Sequence, residues 1–344
     1  MPAAGDFGPP WRVPLLLFAF ASLFLSIDAG LARLGWSSPG AGLAALHGPL
    51  LASGFFGTVI SLERAVALGR RWAYAAPLLS GLGALAAMLK APPAAAPMLS
   101  TFGSAVMLVA SWSIYRRQRE LATFTLTLGA ACWTIGCLVW LREHPLVEVV
   151  PWWIAFLVLT IAGERLELSR LLPPSPSARR VFALLLAGLV LGVSVSLLDW
   201  EAGTRLLGFS LAGLALWLVR QDVARRTVKG TGLVRYIAVC LLSGYVWLVV
   251  GGISILASGG LEIGGSAYDA ALHALLLGFA FSMVFGHAPI IFPALLRVAL
   301  PYHPYFYAPL ALLHASLVLR LAGDWMLLPA WRAWRGMLNA MAFV

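Results

Sequence analysis

The chain has 344 residues, of which 61% are hydrophobic and only 11% are charged. This composition excludes a soluble globule, which would need more polar material for its surface, and it predicts a polytopic membrane protein. The net charge of +10 does not indicate a nucleic-acid partner, because the basic residues collect in short loops between apolar runs.

Long apolar runs predict the membrane-spanning helices, because about twenty residues are needed to cross the hydrocarbon layer. Twelve such runs predict an all-α, twelve-helix bundle that forms a single integral membrane domain, residues 1–344. The predicted helices are 13–32, 41–68, 73–90, 97–116, 121–141, 150–170, 179–198, 203–220, 233–257, 268–288, 305–322 and 331–344. Residues 1–12 lack the features of a cleaved signal peptide, so we expect the first helix to be a retained anchor. The last run is still apolar at residue 344, so we expect its helix to be truncated.

Basic residues in alternate loops predict the orientation, because positive charge marks the cytoplasmic side of a membrane protein. The loops after even-numbered helices hold Arg64, Arg70, Arg71, Arg116, Arg117, Arg119, Arg165, Arg170, Arg179, Arg180, Arg220, Arg225, Arg226, Lys229, Arg235 and Arg297. The opposite loops are much poorer in Lys and Arg. We therefore expect a cytoplasmic N-terminus, with even-numbered helices beginning at the external face.

A weak internal repeat is found at the ends of helices 2, 6 and 10. "GTVISLERAVALGRR" and "VLTIAGERLELSRLL" both carry Glu-Arg there, with Glu63 and Glu164, and "SMVFGHAPIIFPALLR" carries His287 near that position. One interpretation is a pseudo-threefold 4+4+4 arrangement that brings Glu63, Glu164 and His287 together at the cytoplasmic end. The alternative is that these are ordinary helix-end polar residues that contact headgroups and arginines.

Two histidines open helices 2 and 10 within similar sequences. His47 stands in "AALHGPLLASGFFG" and His273 in "AALHALLLGFAFSM", so we expect both about one turn below the external face. Two neutral imidazoles from facing helices can hold a six-coordinate, low-spin haem. Four glycines would let a flat macrocycle approach the backbone: Gly48, Gly54, Gly57 and Gly278. Alternatively, each imidazole hydrogen-bonds a neighbouring helix or faces the headgroup layer.

The other histidines have different settings. His273 and His287 lie about 21 Å apart along one helix, so they cannot bind one metal together, and we expect that helix to break or kink at Pro289. His314, at mid-depth of helix 11, could support a second metal or a distal pocket, but its position favours a hydrogen bond to a neighbouring helix. His144 and His303 are expected in loops.

These features resemble known families. A histidine opening helix 2 and another opening helix 10 of twelve resemble subunit I of the haem-copper oxidases and nitric-oxide reductases. The segments "HALLLGFAFSMVFGH", "LLHASLVLRLAGDW" and "GMLNAMAF" are closer to the NnrS family of haem- and copper-containing membrane proteins linked to nitric-oxide tolerance. The resemblance implies a b-type haem on His47 and His273, and a multi-pass protein of the bacterial inner membrane.

The sequence also departs from the oxidase pattern. Helices 6 and 7 contain no histidine, so an oxygen-reducing haem-copper centre is not expected, and copper has no clear ligand set. No CxxCH motif is present, so a covalently attached haem is not expected. The basic loop that holds the haem propionates in the oxidases is reduced here to Arg320, with Arg332 and Arg335 beyond it, so the resemblance implies Arg320 as a propionate partner.

Three classes of function follow. The first is a haem protein that transfers electrons or handles nitric oxide at the external side, including redox activity on nitric oxide. The second is a non-catalytic scaffold or anchor subunit of a respiratory complex. A transporter is the third, for which the helix-breaking Pro289 and Pro293 are the sequence support. Besides lipid, the expected partners are respiratory-chain subunits or a periplasmic electron carrier.

Overall fold

The computed structural model describes residues 6–169, 174–261, 265–325 and 336–343, and this part of the chain is helical, without strands. The all-α fold class is therefore confirmed. The main helices are α1 (Pro9–Arg33), α2 (Pro39–Leu68), α3 (Ala75–Met88), α4 (Ala95–Arg117), α5 (Leu121–Leu141), α6 (Leu146–Leu168), α7 (Pro176–Val195), α8 (Trp200–Gln221), α9 (Gly232–Ala257), α10 (Ser266–Leu296) and α11 (Tyr307–Trp325).

Each of the first eleven predicted helices overlaps one of these. Within the described residues, ten helices are long and apolar enough to cross a membrane. The exception among the labelled helices is α3, which has 14 residues and is shorter than the thickness of a hydrocarbon layer requires. The twelfth predicted helix, 331–344, lies partly outside the described residues, and within it residues 336–341 are helical.

Two of the helices change their winding along their length. In α2, a 3-10 segment (Pro39–Leu46) leads through His47 into a π-helical segment (Leu50–Gly57), and α-helix resumes at Thr58. In α10, α-helix ends at His273, a π-helical segment covers Ala274–Phe281, and α-helix resumes at Ser282. A π-helix hydrogen-bonds to the fifth residue and normally persists for a single turn, so two eight-residue segments are unusual.

Helix α10 does not end at its prolines. It continues through Pro289 to Leu296, so the helix does not break at Pro289, and the predicted end at residue 288 is eight residues too early. A proline within a helix removes a backbone hydrogen bond and costs about 3 kcal/mol. Packing offsets this cost, because Leu295 is buried and its carbonyl accepts a hydrogen bond from Nη1 of Arg12 at 2.9 Å. Arg297 then adopts a left-handed backbone, with φ of 57°, and ends the helix.

The chain divides into two compact units. The first comprises Met1–Gly163 and Ile290–Ala299, and the second Glu164–Pro289 and Leu300–Val344. One core of the first unit joins α1, α2, α4 and the end of α10, through buried Leu16, Leu62, Ala110 and Leu295. In the second unit, the residues that are completely buried include Leu189, Leu211, Leu248, Phe279 and Leu313.

The start of the chain is tied into the first unit by charged groups. Asp6 accepts hydrogen bonds from Nη2 of Arg12 at 2.7 Å and from the hydroxyl of Tyr74 at 2.6 Å, and Nε of Arg12 donates to the carbonyl of Phe7. Burial raises the pKa of Tyr74 to about 12, and its hydrogen bond to Asp6 acts in the same direction. The phenol therefore stays protonated and keeps donating to Asp6 throughout the physiological range.

Large apolar side chains also point outward from the helices. Leu17, Leu184 and Phe209, on α1, α7 and α8, are 64%, 72% and 63% exposed. A soluble helix buries its apolar stripe and presents polar residues to water, whereas a helix in lipid is apolar on both faces. These outward residues fit contact with lipid, in agreement with the hydropathy of the same helices.

Candidate functional site

His47 lies at the junction between the 3-10 and π-helical segments of α2. Its Nδ1 is 3.1 Å from the carbonyl oxygen of Ala44. A carbonyl can only accept, so Nδ1 carries the proton and the lone pair of the neutral ring is on Nε2. The backbone carbonyl of His47 accepts from the hydroxyl of Ser26 on α1, at 2.7 Å. Both the ring and the backbone at this position are thus held.

The segment before His47 is fixed to the end of α1. The backbone N–H of Gly40 donates to Oδ2 of Asp28 at 2.5 Å, and the hydroxyl of Ser38 donates to the carbonyl of Asp28 at 3.1 Å. A side chain at position 40 would overlap the Asp28 carboxylate, so the close approach requires glycine there.

His273 is the last residue before the π-helical segment of α10. Its Nδ1 is 2.7 Å from the carbonyl oxygen of Asp269, so this ring also donates through Nδ1 and has its lone pair on Nε2. The side-chain carboxylate of Asp269 is close as well, with Oδ1 3.4 Å from the same Nδ1. Arg320 from α11 donates to both carboxylate oxygens, through Nε at 2.9 Å and Nη2 at 3.1 Å. The predicted propionate partner thus forms an ion pair beside His273.

Each π-helical segment packs a glycine against an indole. A Cβ atom on Gly57 would overlap the ring of Trp133 of α5, and one on Gly278 would overlap Trp247 of α9. The close fit explains these two glycines by helix packing rather than by the approach of a macrocycle. Gly48 differs, because apart from its chain neighbours and its own helix backbone no atom of the described residues lies within 4 Å of a Cβ built on it. Among these three, space beside a predicted ligand is found at Gly48 only.

His314 uses both ring nitrogens. Nδ1 accepts from the indole N–H of Trp247 at 2.8 Å, and Nε2 is therefore protonated and donates to the hydroxyl of Ser243 at 3.0 Å. Both partners are on α9, so these are hydrogen bonds to a neighbouring helix. In this arrangement neither nitrogen has a lone pair to offer to a metal.

His287 differs from His314, because only one of its ring nitrogens has a hydrogen-bond partner among the described residues. Nδ1 donates to the carbonyl of Met283 at 2.7 Å, which puts the lone pair on Nε2. Nε2 is buried and has no hydrogen-bond partner among the described residues. Because α10 continues to Leu296, His287 is nine residues inside the helix rather than at its end. Glu63 belongs to the first unit, and Glu164 and His287 belong to the second, so their meeting stays a prediction.

The residue that follows Glu164 forms a buried ion pair that the sequence interpretation missed. Arg165 donates to the carboxylate of Asp222 through Nε at 2.8 Å and Nη2 at 3.1 Å. The hydroxyl of Tyr245 on α9 donates to Oδ2 at 2.5 Å, and the N–H of Ala224 donates to Oδ1 at 2.8 Å. The available signal was that Asp222 is the single acid among the basic residues of 220–235.

A metal ion bound by protein side chains alone needs several His, Cys, Asp or Glu ligands. Within the described ranges, no three or more His, Cys, Asp or Glu side chains come together as a group that could hold a metal ion. The three cysteines, Cys132, Cys137 and Cys240, are buried and form no disulfide. A haem needs fewer protein ligands than a bare metal ion, because the porphyrin provides four nitrogen ligands and the chain adds one or two imidazoles.

The fold defines a class, a multi-pass helical membrane protein. The chain belongs to a family that is described as a domain of unknown function (DUF8744), whose sequence model matches residues 12–344. No curated protein and no solved structure matches the chain.

Proposed function

We propose that this protein binds one b-type haem near the external face of the membrane, with His47 and His273 as the axial ligands. The proposal rests on two features that His47 and His273 have in common. Each donates its Nδ1 proton to a backbone carbonyl and each stands within three residues of a π-helical segment. A ligating imidazole needs its second nitrogen fixed in this way, and π-helical turns occur often at functional sites.

The residues around the two histidines fit such a group. Nε2 carries the lone pair in both rings, and open space lies beside His47 at Gly48. When bound, the haem iron supplies one-electron chemistry. The chain would hold the iron by two imidazoles, keep each ring in its orientation through Ala44 and Asp269, and exclude water by apolar side chains. Two imidazole ligands would suit the group to electron transfer.

We further propose a membrane, an orientation and redox partners for this protein. The resemblance to the NnrS family supports electron transfer or nitric-oxide tolerance in the inner membrane of a bacterium. The distribution of basic loop residues supports a cytoplasmic N-terminus and twelve spans, with the haem on the periplasmic side. An electron carrier in the periplasm or other respiratory-chain subunits would then be the redox partners. Copper is a further proposal that rests on the resemblance alone.

An absorption spectrum of the purified protein tests the proposal. We expect a sharp α-band on reduction, and we expect His47→Ala and His273→Ala each to abolish the low-spin spectrum while the protein still inserts into the membrane. His144→Ala is the matched control, since His144 is exposed and pairs with Glu148. A full bis-imidazole spectrum in either axial variant would refute the ligation. A purified protein without haem, from cells supplied with haem precursor, would favour the scaffold alternative.

A further inference from the structure

The carboxylate of Asp269 lies between the imidazole of His273 and the guanidinium of Arg320. Both of its oxygens accept from Arg320, at 2.9 and 3.1 Å, and one of them is 3.4 Å from Nδ1 of His273. The shortest contact of Nδ1 is to the backbone carbonyl of Asp269, at 2.7 Å. One residue therefore offers the ring two acceptors, a neutral carbonyl in direct contact and a carboxylate at a longer distance.

Arg320 decides how strongly that carboxylate acts on the ring. Its planar fork matches the two carboxylate oxygens and neutralises their charge, and its side chain is only 10% exposed. While the pair is intact, the carboxylate is oriented toward Arg320 and its distance to Nδ1 stays beyond that of a normal hydrogen bond. Without the arginine, a small rotation of Asp269 would bring its carboxylate closer to the Nδ1 proton.

The ring of His47 contacts a neutral group. Nδ1 of His47 donates to the carbonyl of Ala44, and the carboxylate of Asp28, on the neighbouring end of α1, accepts from the backbone N–H of Gly40. At His273, a carboxylate that is paired with an arginine lies 3.4 Å from the ring nitrogen.

We propose that Asp269 and Arg320 are positioning residues that set the reduction potential of the haem through His273. This inference rests on the proposed ligation. A stronger acceptor on Nδ1 makes the imidazole more electron-rich, which stabilises the oxidised iron and lowers its potential. Arg320 keeps the carboxylate away from Nδ1 and so holds the potential up, and Asp269 pulls it down.

Opposite shifts in two variants test the proposal. In potentiometric titrations of the haem-loaded full chain, we expect Arg320→Met to lower the midpoint potential and Asp269→Asn to raise it. The expected size is about tenfold in the reduction equilibrium, which is 59 mV for a one-electron couple. A purely structural ion pair predicts the same behaviour for both, because each variant breaks it. Shifts of the same sign, or no shift in both, would overturn the inference.

Two further sets of variants complete the experiment. Glu201→Gln and Arg205→Met break an exposed ion pair of the same unit and should leave the potential unchanged. If Arg320→Met and Asp269→Asn lose the haem, Arg320→Lys, which keeps the charge without the fork, should lower the potential by less than tenfold, and an unchanged potential there counts against the inference. Failure of the ligation itself is recognised separately, because His273→Ala would then keep the low-spin spectrum.

Discussion

The π-helical segments of α2 and α10 have the same length and each follows a histidine, but different chemistry holds them. In α2, neutral groups do so, because Ser53 accepts from the indole of Trp133 through its hydroxyl at 3.3 Å and from the hydroxyl of Ser80 through its carbonyl at 2.7 Å. In α10, the indole of Trp247 packs on the segment and donates to His314. The same backbone departure therefore does not require the same neighbours.

Helix α9, which carries Trp247, contacts a buried ion pair of the second unit. Tyr245, two residues before Trp247, donates to the buried Asp222 and so ties α9 to Arg165 of α6. The helix that supports the π segment of α10 is thus itself held by an ion pair. This contrast teaches that the α10 region depends on buried charge, whereas the α2 region depends on hydroxyl and indole groups.

The largest expected effect tests this dependence on buried charge. Asp222→Ala would leave Arg165 buried without its carboxylate, which typically costs about 3–5 kcal/mol, and we expect a large fall in the thermal unfolding midpoint of the purified protein. Ser53→Ala, in the α2 region, should cost about 1 kcal/mol, since it removes a neutral hydrogen bond from Trp133 and a weak one with the thiol of Cys137. Equal losses in the two variants would remove the contrast between the regions.

An intermediate effect tests what the two regions share. Gly57→Ala and Gly278→Ala each place a methyl group against an indole ring, and overpacking of this kind costs about 1–3 kcal/mol. We expect both variants to unfold at lower temperature by similar amounts. Gly48→Ala is the control, because its methyl group meets open space and alanine is the better helix former. An unchanged unfolding midpoint in Gly278→Ala would show that the contact with Trp247 does not support α10.

The smallest expected effect concerns His287. Replacing it by leucine removes a buried nitrogen that lacks a hydrogen-bond partner in the described structure, so we expect the unfolding midpoint to stay unchanged or to rise slightly. A clear loss of stability, measured in the same thermal assay, would mean that Nε2 has a partner in the native protein. Because His287 lies on α10, that result would add a further polar contact of this helix to the ion pair between Asp269 and Arg320.

Much of the fold follows from the sequence because hydropathy over twenty residues is a strong signal. Eleven predicted helices overlap observed ones. Only some of them begin at a side-chain cap, as where Asp199 accepts from the N–H of Ala202 at the start of α8, so hydropathy and not capping carries most of the signal. The winding within a helix gives no such signal. A π-helical segment shifts the apolar period slightly, and in a helix that is apolar on all faces the shift leaves no pattern, so neither Leu50–Gly57 nor Ala274–Phe281 could be predicted.

The partners of charged residues were equally hidden. Arg320 was identified as a site residue, but its partner Asp269 was not, since 51 residues separate them and nothing local relates them. Pro289 is a different case. The rule that a proline ends a helix applies to isolated helices and ignores the burial of Leu295 further on, so α10 continues past Pro289. The histidines were found because imidazoles are rare in apolar segments, while the direction of their hydrogen bonds required coordinates.

The contact between Arg12 and the carbonyl of Leu295 spans 283 positions of the chain. The first unit includes Ile290–Ala299, so its packing cannot be completed when the ribosome has made only its leading helices. During synthesis, α1 to α5 must reside in the bilayer with Arg12 lacking that carbonyl until the end of α10 has been inserted. The first unit therefore completes its packing late in synthesis, and a nascent chain stopped before residue 290 would leave the translocon without the segment that completes it.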